Sequence, residues 1–342
     1  MRWILLCCTF AIAVCMVNAA AWKSRSVSDL DAKMGKEAKT FLGNMPAGLQ
    51  GRQTDAVIQA IEGNNMPLND VRSSRNSHPE LPAGVTAKTV APDMRLYYPS
   101  AMLTDGGKRP LLIYLHGGGW TFGSIWSCAR FCSDLVAYSG CMVLALDYRL
   151  APEHPYPAGL EDCIKAWKYA HDNAESWGAD PGRISFGGDS SGGNLALAAT
   201  MKLNAGDSAK VHSLVVFYPV TKAFCDGSSS WNEFGYGYGL DSSLMEAFNK
   251  AYLHNGSDSE DMFVSVGCAP DEALLSLPPV LMINAGKDIL RDQGREFAGR
   301  LSRLGKEICH VEFPGAVHLF ITVEGQPSAR AEAVRLAGDF ML

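Results

Sequence analysis

The chain reads as an α/β protein built on one mostly parallel, eight-stranded sheet with helices on both faces. Three observations carry that reading. From Leu111 onward, short apolar runs alternate with longer helical patterns, the order that parallel strands joined by helical crossovers produce. The 342 residues are 47% hydrophobic, enough for one large core. Around Arg183 to Leu203 a short buried-strand pattern passes through small residues straight into an apolar helix.

The elements follow in chain order. Residues 1–21 have the build of a secretory leader: Arg2 as the positive region, Ile4 to Val17 as the apolar stretch, and Ala19-Ala20-Ala21 as small-residue cleavage options. An uncleaved anchor, or lipid attachment at Cys15, is the lesser alternative, since Ile12-Ala13-Val14 is a poor lipid-attachment signal. The expectation is a secreted or periplasmic protein without stable membrane insertion after cleavage. The rest, 22–342, reads as one domain. Residues up to roughly Asp70 are helix-prone. Candidate strands then run Thr86 to Val90, Arg95 to Tyr98, Leu111 to Leu115, Met142 to Leu146, Ile184 to Phe186, Leu214 to Tyr218, Val280 to Asn284 and Ile308 to Phe313. Asn194 to Leu203 and Arg291 to Leu304 are helices, and Asp180-Pro181-Gly182 is a turn signal ahead of the fifth strand. Thr221 to roughly Pro270 breaks the alternation and holds Trp231, Phe234, Tyr236, Tyr238 and Phe248, most of which read individually as ordinary core.

Composition narrows the partners. A net charge of −6 argues against nucleic acid and gives no membrane signal. Of ten cysteines, Cys7, Cys8 and Cys15 fall in the leader, and the odd number left in an oxidising compartment implies a free thiol or an intermolecular bond. Cys128 and Cys132 lie four apart on a helix with no ligand pair following, which favours a half-buried helix face over a metal site. Oligomeric state is not encoded legibly, and a homodimer stays open.

Chemistry enters at Gly188-Asp189-Ser190-Ser191-Gly192-Gly193, between strand and helix. In that context Gly-x-Ser-x-Gly is a nucleophile elbow: small flanking residues let a strained turn expose the serine hydroxyl beside a helix N-terminus. A second motif, His116-Gly117-Gly118-Gly119-Trp120, follows the strand Leu111 to Leu115. Consecutive glycines leave backbone N–H groups open to a developing oxyanion. Gly118 and Gly119, with Gly117 as the alternative, join Ser191 as candidate donors.

These motifs, with Asp147-Tyr148-Arg149-Leu150-Ala151-Pro152-Glu153-His154-Pro155, Ala285 to Asp292 and Pro314-Gly315-Ala316-Val317-His318-Leu319-Phe320, resemble the hormone-sensitive-lipase-like branch of the α/β-hydrolases, the family IV esterases. The resemblance covers most of the chain. Ser191, Lys287 and Leu319 depart mildly from the family's usual residues. It implies an α/β-hydrolase fold in which about 22–70 and 221–270 pack together as a helical cap, over a substrate-binding floor of Trp120, Tyr218 and Phe320. A narrow cap suits short acyl chains.

The catalytic partners of Ser190 can be argued from chemistry and chain order, which in this fold runs Ser, then Asp or Glu, then His. Of His212, His254, His310 and His318, only His318 follows a strand across a Pro-Gly loop at the active edge of the sheet. Asp288 directly follows the strand Val280 to Asn284, whereas Asp292 lies a turn further on, where capping or ion pairing is its expected role. Asp189 reads as a structural residue of the elbow. The expected activity is a serine carboxylesterase acting on small-molecule, short-chain acyl esters through Ser190, His318 and Asp288, with no metal or organic cofactor. An acetyl-sugar or xylan deacetylase is the substrate variant. A serine peptidase of the same fold, or a ligand receptor that has lost catalysis, is the remaining alternative.

Overall fold

The computed structural model describes residues 27–101, 107–206 and 210–342, so the leader expected at 1–21 lies outside the described residues. Three helices come first, α1 (Val27–Asn44), α2 (Leu49–Ile61) and α3 (Met66–Ser74). The remaining elements are β1 (Val85–Ala91), β2 (Met94–Pro99), β3 (Arg109–Leu115), α4 (Ala129–Ser139), β4 (Met142–Leu146), α5 (Ala158–Trp177), β5 (Ala179–Asp189), α6 (Ser191–Asn204), β6 (Leu214–Phe217), α7 (Ser229–Glu233), α8 (Ser242–Tyr252), α9 (Asp271–Leu274), β7 (Val280–Lys287), α10 (Arg291–Arg303), β8 (Ile308–Val317) and α11 (Pro327–Met341).

All eight strands form one sheet in the order β1-β2-β4-β3-β5-β6-β7-β8. β2 pairs antiparallel with β1 and β4, and every pairing from β4 through β8 is parallel. β3 shows how its residues build both cores. Leu111, Ile113 and Leu115 face one side, with Leu160 and Ala166 of α5 and Leu195 of α6. Leu112 and Tyr114 face the other, with Phe131 and Leu135 of α4 and Ala333 and Ala337 of α11. That alternation is the period of two of a strand buried on both faces, and each fully buried aliphatic side chain contributes about 1.5–3 kcal/mol. Cys132 of α4 and Cys128, which caps its start, both belong to the second core.

After β3 the chain lays β4 on one side and β5 on the other, so the order reverses there. At such a switch point the loops after two neighbouring strands part, opening a crevice at the carboxyl edge. Leu115 pairs with Gly188, which brings the ends of β3 and β5 side by side.

Three local expectations change. The Asp180-Pro181-Gly182 turn lies within β5 as an irregular stretch, where Asp180 Oδ1 accepts a bond from Gly182 N at 2.9 Å and the pairing slips between Arg109 and Leu111. β6 ends at Phe217, because Tyr218 turns away with φ 35°. Pro314-Gly315 is part of β8: pairing with β7 slips between Ala285 and Lys287, which gives room to a proline that cannot donate to the ladder, and the strand resumes to Val317.

The two segments flanking the alternation do meet, though α1 is displaced from the arrangement expected for 22–70. It lies along β8, and Glu37 accepts bonds from Ser328 N (2.9 Å) and Ser328 Oγ (2.7 Å) at the start of α11. α2 packs on α8, which belongs to the 221–270 segment. The amide of Gln50 pins them together, Nε2 donating to Gly239 O at 3.0 Å and Oε1 accepting from Asp241 N at 3.2 Å. Trp231, Phe234 and Phe248 are buried in this layer, whereas Tyr236 is exposed.

Candidate active site

β5 ends at Asp189 and α6 begins at Ser191, leaving Ser190 alone between them with φ 55° and ψ −120°. A non-glycine residue there costs about 1–3 kcal/mol, so the surroundings must enforce it. Ser190 N donates to Phe217 O at 2.9 Å, and Val220 N donates to Ser190 O at 3.1 Å. The turn is tight because α6 starts against the end of β3: a Cβ on Gly192 would collide with the carbonyls of Leu115 and His116, and one on Gly188 with Gly192 and the Leu115 carbonyl. The first N–H groups of α6, Ser191 among them, have no acceptor within the helix.

The glycine loop turns back at Gly118 (φ 123°) and Gly119 (φ 61°), values that favour glycine. Gly117 is held differently. Its N–H donates to Asp189 Oδ1 at 2.9 Å, beside the Tyr114 hydroxyl at 3.0 Å, which removes it as the alternative oxyanion donor and gives Asp189 its structural task. Burial pushes the Asp189 carboxyl up to about 6, against the opposing effect of those two hydrogen bonds. His116 is stacked on Tyr148 at 4.4 Å, and the Tyr148 hydroxyl donates to His116 O at 2.7 Å. Burial lowers the His116 imidazole to about 4, so it is neutral at neutral pH.

Asp288 follows β7 and His318 follows β8, both at the edge where Ser190 sits. His318 Nδ1 is 2.6 Å from Asp288 Oδ2, and His318 Nε2 is 3.1 Å from Ser190 Oγ. All three are buried, Ser190 at 5% exposure. Asp288 Oδ1 accepts from Leu290 N at 3.0 Å, which fixes the carboxylate. The amide of Gln326 fixes the histidine backbone: Nε2 donates to Val317 O (3.2 Å) and His318 O (3.1 Å), and Oε1 accepts from Val317 N (3.0 Å).

The competing residues are engaged elsewhere. Asp292 Oδ2 accepts from Ser230 N at 2.9 Å and its Oδ1 from Arg291 Nε at 2.8 Å, anchoring the 221–270 segment. His254 bonds Pro152 O at 2.8 Å and His310 bonds Asn284 at 3.1 Å, while His212 is exposed.

A cavity of about 20 Å³ touches the hydroxyl, lined by Ser190, His318, Gly118 and Gly119 below and by Phe122, Leu240, Leu244, Met245, Phe248, Leu319, Gln50, Gln53 and Arg75 around and above. None of Trp120, Tyr218 and Phe320 lines it, which corrects the floor expected from sequence. Trp120, at φ 56°, folds back to stack on Tyr252 at 4.4 Å. Tyr218 lies behind the His318 ring, 4.4 Å away, its hydroxyl accepting from Ile321 N at 3.2 Å, and Phe320 packs edge-on against Tyr218 at 4.7 Å. These rings support the catalytic loop. Sequence reasoning missed Gln326, Gln50, Gln53 and Arg75, none of which belongs to a motif or a periodic apolar pattern.

Residues 112–322 match the family model described as alpha/beta hydrolase fold. The chain is 38% identical over 222 residues to the carboxylic ester hydrolase LipN of Mycobacterium tuberculosis, covering 63% of this chain and 57% of that protein. Carboxylesterase NlhH of the same species is 34% identical over 242 residues, covering 70% of this chain and 74% of its own length. Among solved structures, LAE6, an alpha/beta hydrolase enzyme from the metagenome of Lake Arreo, superposes with a TM-score of 0.75 at 32% identity, covering 89% of this chain and 97% of that one.

Proposed function

The chain belongs to the α/β-hydrolase family, in which its relatives carry ester-hydrolase names, and from that premise we propose that it is a serine carboxylesterase acting on short-chain acyl esters. The observation that carries the proposal is the chain of contacts from Asp288 through His318 to Ser190, 2.6 and 3.1 Å long. Ser190 Oγ attacks the ester carbonyl while His318 Nε2 takes its proton. Asp288 holds Nδ1 and stabilises the imidazolium. The N–H groups of Gly118, Gly119 and Ser191 receive the oxyanion, an interaction worth about 100- to 1000-fold per donor. His318 then protonates the departing alcohol, and the same imidazole activates a water that releases the acid from the acyl-enzyme.

The restriction to short acyl groups rests on the wall formed by Leu244, Met245 and Phe248. The leader pattern in residues 1–21 extends the proposal to an exported enzyme. The deciding experiment is Ser190→Ala: hydrolysis of 4-nitrophenyl acetate drops by at least about 10⁴-fold while the circular dichroism spectrum is kept. An organophosphonate labels Ser190 and no other residue. Undiminished turnover in the variant, or labelling elsewhere, overturns the assignment.

A further inference from the structure

Arg75 follows the last turn of α3, and its side chain lines the cavity above Ser190. Its guanidinium lies over the Phe122 ring, 5.6 Å from the centroid, and among the described residues it makes no ion pair and no hydrogen bond. Its neighbours differ. Arg72, one turn earlier, is bonded to Glu153 at 2.7 and 2.8 Å, to Thr121 O at 2.8 Å and to Ala151 O at 2.9 Å. Gln53, buried beside Arg75 on the cavity wall, also has no hydrogen-bond partner for its amide among the described residues. Arg75, Gln53, Gln50 and Leu319 are shared with a larger groove of about 440 Å³. The other two arginines of that groove are engaged: Arg130 is 2.8 Å from Glu324 and Arg330 is 3.9 Å from Asp134.

Arg75 is part-buried, and the acid whose charge acts on it, Asp189, spends its hydrogen bonds on Gly117 and Tyr114, so the guanidinium N–H groups are left open to an anionic ligand. Burial lowers the Arg75 proton affinity, and its positive charge reaches Asp189 and His116 at the elbow, which places it within the electrostatic field of the reaction centre. The guanidinium fork matches a carboxylate bidentately, and the Gln53 amide adds a further N–H donor on the same cavity wall.

Building on the esterase reading, we infer that the preferred ester carries an ionised carboxylate, which docks on Arg75 and Gln53 while its ester carbonyl lies at Ser190. Arg75 is then the residue that sets substrate charge. The test compares matched esters by pH-stat titration of the full chain: monoethyl glutarate against ethyl pentanoate for a carboxylate on the acyl side, and 3-acetoxypropanoate against propyl acetate for one on the alcohol side. One acidic ester is expected to exceed its uncharged partner by about tenfold in kcat/KM, with the preference shrinking as salt is raised. Arg75→Gln brings that ratio to about one, and Arg75→Lys keeps part of it, since lysine retains the charge without the fork. No preference for either acid in the unaltered protein overturns the inference and leaves the esterase reading standing. Equal loss on charged and uncharged esters in Arg75→Gln overturns it too, showing a structural role. Absence of turnover on all four esters overturns both readings.

Discussion

The floor and the roof of the site are built on opposite principles. Every floor element is the end of a parallel strand: Gly118 and Gly119 after β3, Ser190 after β5, Asp288 after β7 and His318 after β8. Their positions follow from the sheet, and backbone or amide bonds from Phe217, Leu290 and Gln326 hold them. The roof comes from two segments about 190 residues apart, joined through one amide, Gln50, and helix packing. The difference teaches that Ser190, Asp288 and His318 are placed by the sheet, whereas the side chains above them are placed by segments outside it.

That contrast can be broken by experiment. If the floor is a single preorganised unit, Asp288→Asn lowers kcat by about 10⁴-fold with little change in KM, measured on 4-nitrophenyl acetate. A loss mainly in KM would mean the carboxylate serves binding. If the roof governs selection alone, Phe248→Ala moves the optimum of a 4-nitrophenyl ester series toward longer chains by about tenfold in relative kcat/KM, and an unmoved profile would transfer chain-length control to another wall. The smallest effect concerns two buried groups under the floor. Asp189 has a folded-state value near 6, above that of an unfolded carboxylate, so its contribution to stability falls as pH rises from about 4 to 6. His116, lowered to about 4, acts with the opposite sign, its contribution rising between about 4 and 6.5. In the unaltered protein these slopes oppose each other. Asp189→Asn removes the first, so urea midpoints of the variant climb relative to the parent between pH 4 and 6. A constant difference across that window would contradict the raised Asp189 value.

The legibility of the sequence divides along the same line. The central strands β3, β4, β6 and β7 appear as apolar runs because strands buried on both faces need nothing but apolar residues, and Ser190, Asp288 and His318 follow from chain order at strand ends. The ends of strands were less legible: β8 runs through Pro314-Gly315 because a slip in its pairing with β7 tolerates the proline, which no one-dimensional pattern records. Trp120, Tyr218 and Phe320 sit beside catalytic motifs in sequence yet point behind the site, since Trp120 turns at positive φ and the two other rings fill the space under His318. Gln326 supports His318 from eight residues away through its side chain alone, and Arg75 reaches the site from the end of α3, which carries no motif.

The cavity at Ser190, at about 20 Å³, has room for a single water molecule, and four of its wall residues also border the groove of about 440 Å³. A molecule arriving from that groove meets Arg75, Gln53, Gln50 and Leu319 before it meets the nucleophile. Arg72 fastens α3 to Thr121 and Ala151, so this threshold is tied to the loop that carries Gly118 and Gly119. On the proposed reading the ester is held at both ends at once, its carboxylate at this threshold and its carbonyl at Ser190, so the span between the two acts as a ruler for the substrate.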